Sequence, residues 1–308
     1  MNKSEILKWL NGGDVSIRFQ VSRDLLGRVD VPLRERIASE GWGAKLLSLR
    51  HPDGHWGRKF YQPKWTSSHY SILDLKNLGI SPENKLIRES VLKILKEEKG
   101  PDQGINPSPN IQESDACLNG MVLNYACYFK MPEEDINSIV DFIISQRMPD
   151  GGFNCMYNRF GAVHSSLHTT LSILEGIAEY KMNGYSYRLE ELLEAELTSR
   201  EFVLMHQLFL SDRTGKIINK AFLRLPYPSR WKYDILKALD YFQYSGCEWD
   251  ERMRPAINMI LSKRGKDGRW KLNSPYPGQV HFHMEQPGKP SRWNTLRALR
   301  VLKHFRLK

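Results

Sequence analysis

The phrase Pro-Ser-Arg-Trp occurs twice, at 228–231 and at 290–293, and Pro63-Lys64-Trp65 is a shorter relative. Each phrase opens a segment with helical spacing of apolar residues, and Ser229 and Ser291 are suitable N-caps. Arg230, Arg292 and Lys64 then stand near the positive ends of helices, where a cation is electrostatically unfavourable in isolation. If several such helices begin at one mouth, that mouth gathers free N–H groups, guanidinium groups and the indoles of Trp65, Trp231 and Trp293. Such a mouth suits a phosphate or diphosphate head, and the indole faces suit a sugar or an apolar chain. A plain helix start, with Trp in the core and Arg in solvent, fits the same residues.

Other polar residues offer acid–base or metal chemistry. His281, His283 and Glu285 alternate along the long irregular segment 271–290, so an extended chain turns all three one way, as a metal or acid–base set requires. His164 and His168 are four apart, which on a helix is one face, with Asp150 and Cys155 as further donors. Polar residues lining a helix start fit the pair equally well. His69, Asp115 and Asp234 occupy similar places near other helix starts. A carboxylate buried among them acquires a raised pKa and can serve as an acid. The catalytic candidates are Asp115, His168 and Glu285. The ligand-binding candidates are Trp65, His69, His164, Arg230, Trp231, Asp234, His281, His283, Arg292 and Trp293. Metal and cofactor stay unassigned.

A repeat positions these residues. Residues 47–56 (LSLRHPDGHW), 144–153 (ISQRMPDGGF) and 261–270 (LSKRGKDGRW) align without a gap, and weaker copies surround Asp102 and Asp212. A period near fifty residues marks a repeat architecture. Amphipathic patterns precede the phrases at 33–50, 83–98, 132–147, 187–209 and 249–264. Less charged helical segments follow at 66–78, 114–130, 164–181, 230–245 and 291–305. Gly can end a helix with positive φ, Asp accepts turn N–H groups, and the aromatic residue fills the wedge between helices. The upstream Arg50, Arg147 and Arg264 face the carbonyl end of the outer helix in this reading. Segments 3–10 and 15–27 supply a sixth pair. Six hairpins can close into a ring, and an open solenoid has the same periodicity.

The repeated phrase resembles the repeat of protein prenyltransferase β subunits and squalene or oxidosqualene cyclases, most closely at Gln146-Arg-Met-Pro-Asp-Gly-Gly-Phe153. The resemblance covers residues 33–305. It implies an all-α (α/α)6 toroid, and with the helical pattern this makes one domain over 1–308, with an N-terminal helical pair in 1–30 and five repeats in 31–308. It also implies a prenyl or terpenoid ligand, apolar or carrying a diphosphate, in the central cavity. The Asp-x-Asp-Asp acid of the cyclases is absent. Ser114-Asp115-Ala116 and Ser71-Ile-Leu-Asp74 are the nearest sites, each with a single carboxylate. The zinc-ligand pattern of the β subunits is not reproduced by Asp150, Cys155, His164 and His168. Catalysis is therefore left open. A carbohydrate-active (α/α)6 enzyme using Asp115 and Glu285 with Trp stacking, and a non-catalytic binding or scaffold toroid, are the alternatives.

Bulk properties agree with a water-exposed globular chain. Of the 308 residues, 41% are hydrophobic and 26% charged, and the net charge is +10. The basic residues are dispersed among acids and no nucleic-acid-binding motif occurs, so nucleic acid is not an expected partner. No apolar run is long enough for a membrane span, and the N-terminal residues lack a secretory signal pattern. The four cysteines form no dense framework and read as reduced thiols, so the expected location is cytoplasmic. Oligomeric state is left open.

Overall fold

The computed structural model describes residues 3–307. Met1, Asn2 and Lys308, at the ends of the expected ring domain, lie outside the described residues. The chain begins with α1 (Lys3–Asn11), α2 (Val15–Gln20, extended by a π turn to Leu25), α3 (Val31–Glu35), α4 (Gly41–Leu47), α5 (Ser68–Leu78) and α6 (Lys85–Glu97). It continues through α7 (Ala116–Tyr128), α8 (Glu133–Ser145), a single turn α9 (Tyr157–Phe160), α10 (Leu167–Met182) and α11 (Leu189–Met205). It ends with α12 (Ile235–Tyr244), α13 (Arg254–Ser262) and α14 (Arg292–His304). The two short strands, β1 (Trp270–Lys271) and β2 (Pro290–Ser291), pair antiparallel across the base of segment 271–290.

Among the described residues six helices form the inner layer: α2, α5, α7, α10, α12 and α14. Consecutive members touch around a complete circuit from α5 to α14 and back to α2. The α2–α5 step is joined by Gln20 Nε2 donating to Asn77 O at 2.8 Å. The α14–α2 step is joined by Arg300, which pairs with Asp24 at 2.8 Å. The ring is therefore closed, and the fold is an all-α toroid. On α7 and α10 nearly every residue is buried, because each packs against inner neighbours, an outer helix and the ring centre. The outer helices α6, α8 and α13 keep one apolar stripe, for example Ile87, Val91, Ile94 and Leu95 on α6, as expected where the other face meets water. The α7–α10 contact is close because Gly120 and Gly176 face one another. A Cβ on Gly176 would lie 2.6 Å from Gly120 O.

The repeated phrase has one conformation. The indole Nε1 of Trp56 donates to Leu46 O and that of Trp270 to Ile260 O, both at 2.7 Å, so each ring tucks back under its outer helix. The main-chain N–H of Trp56, Ile105, Phe153 and Trp270 donates in turn to Ser68, Asn119, Thr170 and Thr295 on the following inner helix. These bonds satisfy donors that the packing hides from water. Asp150 accepts from both the N–H and hydroxyl of Ser165, and Asp102 from both groups of Ser114. Two of the upstream arginines differ from expectation. Arg50 reaches Glu89 and Ser90 on α6, and Arg147 reaches Glu194 on α11. They link successive outer helices, where a carboxylate is a better partner than a helix-end carbonyl.

Three boundaries also differ. The expected helix over 33–50 is broken into short pieces around Gly41, whose φ is +63°. The α10 helix starts at Leu167, so His164 precedes it and does not share a helical face with His168. The α12 helix starts at Ile235, because Asp234, not Ser229, caps it by accepting from Lys237 N at 2.8 Å.

Candidate functional site

At the N-terminal ends of the inner helices the ring is covered. Trp65, in a 3-10 turn at Lys64–Thr66, donates through Nε1 to Pro277 O at 2.7 Å. Gly278 lies against the same indole, where a Cβ would come within 2.4 Å of the ring. His281 Nε2 meets Ser71 Oγ on α5 at 3.0 Å. Segment 271–290 is thus strapped over this face.

The opening is at the other end. A cavity of about 140 Å³ occupies the ring centre, and a vestibule of about 460 Å³ adjoins it at the C-terminal ends of the inner helices. The two share Arg23, Tyr128, Glu179, Tyr244 and Arg300. The vestibule alone has the volume of a small-molecule site. The inner cavity has room for a head group.

Charge dominates the inner wall. Arg23, Lys76, Arg230, Lys237, Arg297 and Arg300 line it together with Glu175, Glu179 and Asp240. Lys76 pairs with Glu179 at 2.8 Å and Lys237 with Glu175 at 3.1 Å. Asp240 is shared by Arg297 and Arg300, and Asp24 by Arg23 and Arg300. Arg230 meets Asp74 at 3.6 Å. Tyr227 stacks on Trp293 with centroids 4.6 Å apart, and both line the wall.

Two arginines are incompletely satisfied. Arg230 is 9% exposed and Arg297 is 5% exposed, yet Arg230 Nε and Arg297 Nη1 are buried without a protein partner. Asp74 Oδ1 is in the same condition. Burial pushes the Asp74 carboxyl up to about 6 against the pull of Arg230. It carries a full charge only above that pH. Buried cations that exceed their acidic partners, with free N–H groups beside a cavity, make an anion-accepting wall. Some cations near the helix C-termini have another task. Arg34 Nε donates to Gly79 O, and Lys303 Nζ to the carbonyls of Asp24 and Leu25, all at helix ends. The deeper pair, Arg230 and Arg297, is not used in this way.

The connection into α12 holds Arg230 in place. Arg230 has φ +54°, a left-handed conformation that non-glycine residues adopt at a cost. Its carbonyl accepts from Lys237 Nζ at 2.7 Å, and its guanidinium lies 4.7 Å from the Trp65 ring centroid. Ser229 Oγ donates to Asp234 Oδ2 at 2.8 Å. Asp234 is fully buried, and burial raises its pKa.

The remaining sequence candidates are dispersed. Of the Pro-Ser-Arg-Trp residues, Ser229, Arg230 and Trp293 line the cavity. Arg292 turns away and donates to Trp9 O at 3.1 Å, with Trp9 beneath it. Trp231 stands beside His168, and Lys64 and Lys232 lie over its ring. His168 Nδ1 accepts from Tyr233 N at 2.8 Å, and burial lowers its pKa to about 4. His69 is fully buried among Phe60, Tyr61, Tyr70 and Tyr125, and burial lowers its pKa to about 3. His164 and His283 are exposed. Glu285 accepts from Arg292 N at 2.6 Å and from the Ser291 hydroxyl, so it caps α14. His281 and Glu285 therefore serve different elements, and the extended-strand expectation for His281, His283 and Glu285 does not describe this segment. Asp115 immediately precedes α7 at the covered end. Among the described residues no three His, Cys, Asp or Glu side chains are grouped as a metal site.

Sequence reasoning passed over Lys76, Glu175, Glu179, Lys237, Asp240, Arg297 and Arg300. Their signal was polar residues at helical spacing on otherwise apolar inner helices: Glu175 and Glu179 on α10, Lys237 and Asp240 on α12, Arg297 and Arg300 on α14. Such stripes mark a shared wet centre.

The architecture defines the chain's class as α/α toroids. Within that class, solved structures of a type II terpene cyclase, MstE from Scytonema, are similar to it. A variant in complex with merosterolic acid A, its product, is 13% identical, with 98% of this chain and 99% of that chain covered at a TM-score of 0.36. A variant in complex with geranylgeranyl dihydroxybenzoate, its substrate, is 13% identical, with 98% of each chain covered at a TM-score of 0.37. No protein-family model and no curated protein matches the chain. Among the described residues no helix is long and apolar enough to cross a membrane.

Proposed function

We propose that the toroid binds a small molecule with an anionic head, phosphate, diphosphate or carboxylate, that enters through the vestibule and rests between Arg230 and Arg297. The observation that carries this reading is the pair of buried guanidinium groups with unpartnered N–H atoms beside the inner cavity. Lys237, in the first turn of α12, lies on the same wall. Tyr227 and Trp293 supply flat apolar walls. An isoprenoid diphosphate belongs to this ligand class: its head suits the arginines, and its chain would lie along Tyr128, Met182 and Tyr244 in a vestibule otherwise lined by charged and amide side chains. Asp74 gives Arg230 a protonatable partner behind the cavity wall, which makes the charge available to a ligand depend on pH. Closure of the ring by residues from both ends supports one working domain over the described chain.

Titration calorimetry with pyrophosphate, geranylgeranyl diphosphate, geranylgeraniol and a neutral oligosaccharide tests the reading. Pyrophosphate and the prenyl diphosphate should bind, and the neutral alcohol and sugar should not. Tighter binding of the prenyl diphosphate than of pyrophosphate assigns the chain to the vestibule. Binding of the sugar alone overturns the anion site in favour of a carbohydrate site.

A further inference from the structure

Cys117 and Cys155 lie 38 positions apart and meet at the covered face of the ring. Cys155 Sγ accepts from Cys117 N at 3.1 Å and from Thr169 Oγ1 at 3.4 Å. The contact of Cys155 Sγ with Cys117 N sets the two side chains next to each other. Both residues are half-buried, whereas Cys127 is fully buried in the ring. Cys247 lies elsewhere, beside Ser245 at the end of α12.

The surroundings favour a sulfur anion on Cys155. Cys117 N is in the first turn of the thirteen-residue helix α7, and N–H groups there stabilise a thiolate. The neighbouring Cys117 is the largest influence holding Cys155 below the ordinary thiol range, and the Thr169 hydroxyl, 3.4 Å away, acts in the same sense. The same pairing raises Cys117, which holds the proton. One thiol is thus prepared as the nucleophile, and a second stands beside it.

We infer that Cys155 and Cys117 form a dithiol–disulfide couple that exchanges with small-molecule disulfides of the glutathione type, with Cys155 attacking and Cys117 resolving. The Cys155 thiolate attacks one sulfur of the small disulfide, an S–S bond forms, and one small thiolate leaves and takes up a proton. Cys117 then loses its proton and attacks Cys155 Sγ. The internal S–S bond forms, and the second small thiolate leaves and is protonated. Two protein thiols are oxidised and one small disulfide is reduced to two thiols. The product bond ties the segment after Phe153, which carries the exposed Met156, Tyr157, Phe160 and Val163, to the start of α7.

The test uses the full-length folded protein treated with oxidised glutathione and followed by mass spectrometry with peptide mapping. The wild type should lose two hydrogens, and the map should show Cys117 joined to Cys155. Cys117→Ser should stop at a mixed disulfide on Cys155. Cys155→Ser should leave Cys117 reacting at least about tenfold more slowly than Cys155 does in Cys117→Ser, because the low-pKa thiol is gone. If either variant does not fold, the wild-type map alone decides. A wild-type protein that keeps a stable glutathione adduct, or keeps both thiols free, overturns the inference.

Discussion

Arg230 combines features that a merely structural residue rarely needs together. It has a left-handed backbone, a buried guanidinium, a single carboxylate partner at 3.6 Å and an unpartnered Nε. Arg297 shares the burial and the free N–H without the backbone cost. Charge-assisted hydrogen bonds contribute about 1.5–3 kcal/mol. Arg297→Ala should therefore weaken pyrophosphate binding by roughly ten- to a hundredfold in titration calorimetry, and unchanged affinity would remove Arg297 from the site. Asp74 sets the pH dependence. Its carboxyl, raised by burial to about 6, is neutral below that pH and then stops competing for Arg230. Affinity for sulfate, which does not titrate in this range, should rise as pH falls through about 6. Asp74→Asn should hold the higher affinity on both sides, and a flat wild-type profile would contradict the assignment. The stability contribution of Asp74 has the matching sign: it is complete below the ordinary value of 3.8 and is lost as pH rises through about 6. His69 and His168, lowered by burial to about 3 and about 4, act oppositely, so the Asp74→Asn comparison isolates the carboxylate. The sequence pointed to Arg230 and Trp293 through a repeated tetrapeptide. It did not separate them from Arg292, because the difference is made by Trp9, nearly the full chain length away.

At the scale of elements, the repeated turn is held by its own polar bonds. The N–H of Trp56, Ile105, Phe153 or Trp270 is buried and finds a side-chain acceptor on the next inner helix. Thr170→Val keeps the shape of the side chain and deletes the acceptor for Phe153 N. It should cost about 1–3 kcal/mol, the penalty of an unsatisfied buried donor, read from the midpoint of a denaturant unfolding curve. No change would mean that the bond is replaced locally. The outer helices and the Asp-Gly-aromatic turns were legible from period and composition, since burial of one helical stripe leaves a plain pattern. The acceptors were not, because their distance in sequence from the turn varies with the loop between. The start of α12 was misread for a related reason. Ser229 and Asp234 are both good caps, and only the hydrogen bond of Ser229 to Asp234 shows which one the helix uses.

For the molecule as a whole, closure joins the last inner helix to the first through both packing and charge. Arg300 on the last inner helix meets Asp24 beside the first and Asp240 on α12. These groups are partly screened by the adjoining cavity. Arg300→Ala should therefore cost about 2–3 kcal/mol, at or below the low end for breaking a buried pair, and the protein should unfold at lower denaturant. An unchanged midpoint would show that packing alone closes the ring. The toroid was foreseeable from six helical pairs, but its closure was not, since an open solenoid has the same period. The polar centre was hidden for the same reason: Asp74, Arg230, Asp240, Arg297 and Arg300 face one another only after the ring closes. A crystal structure of the protein soaked with pyrophosphate shows most directly what that centre holds. Diphosphate density should lie between Arg230 and Arg297, within hydrogen-bond distance of Arg230 Nε and Arg297 Nη1. Density elsewhere, or an empty centre at saturating pyrophosphate, would contradict the anion site.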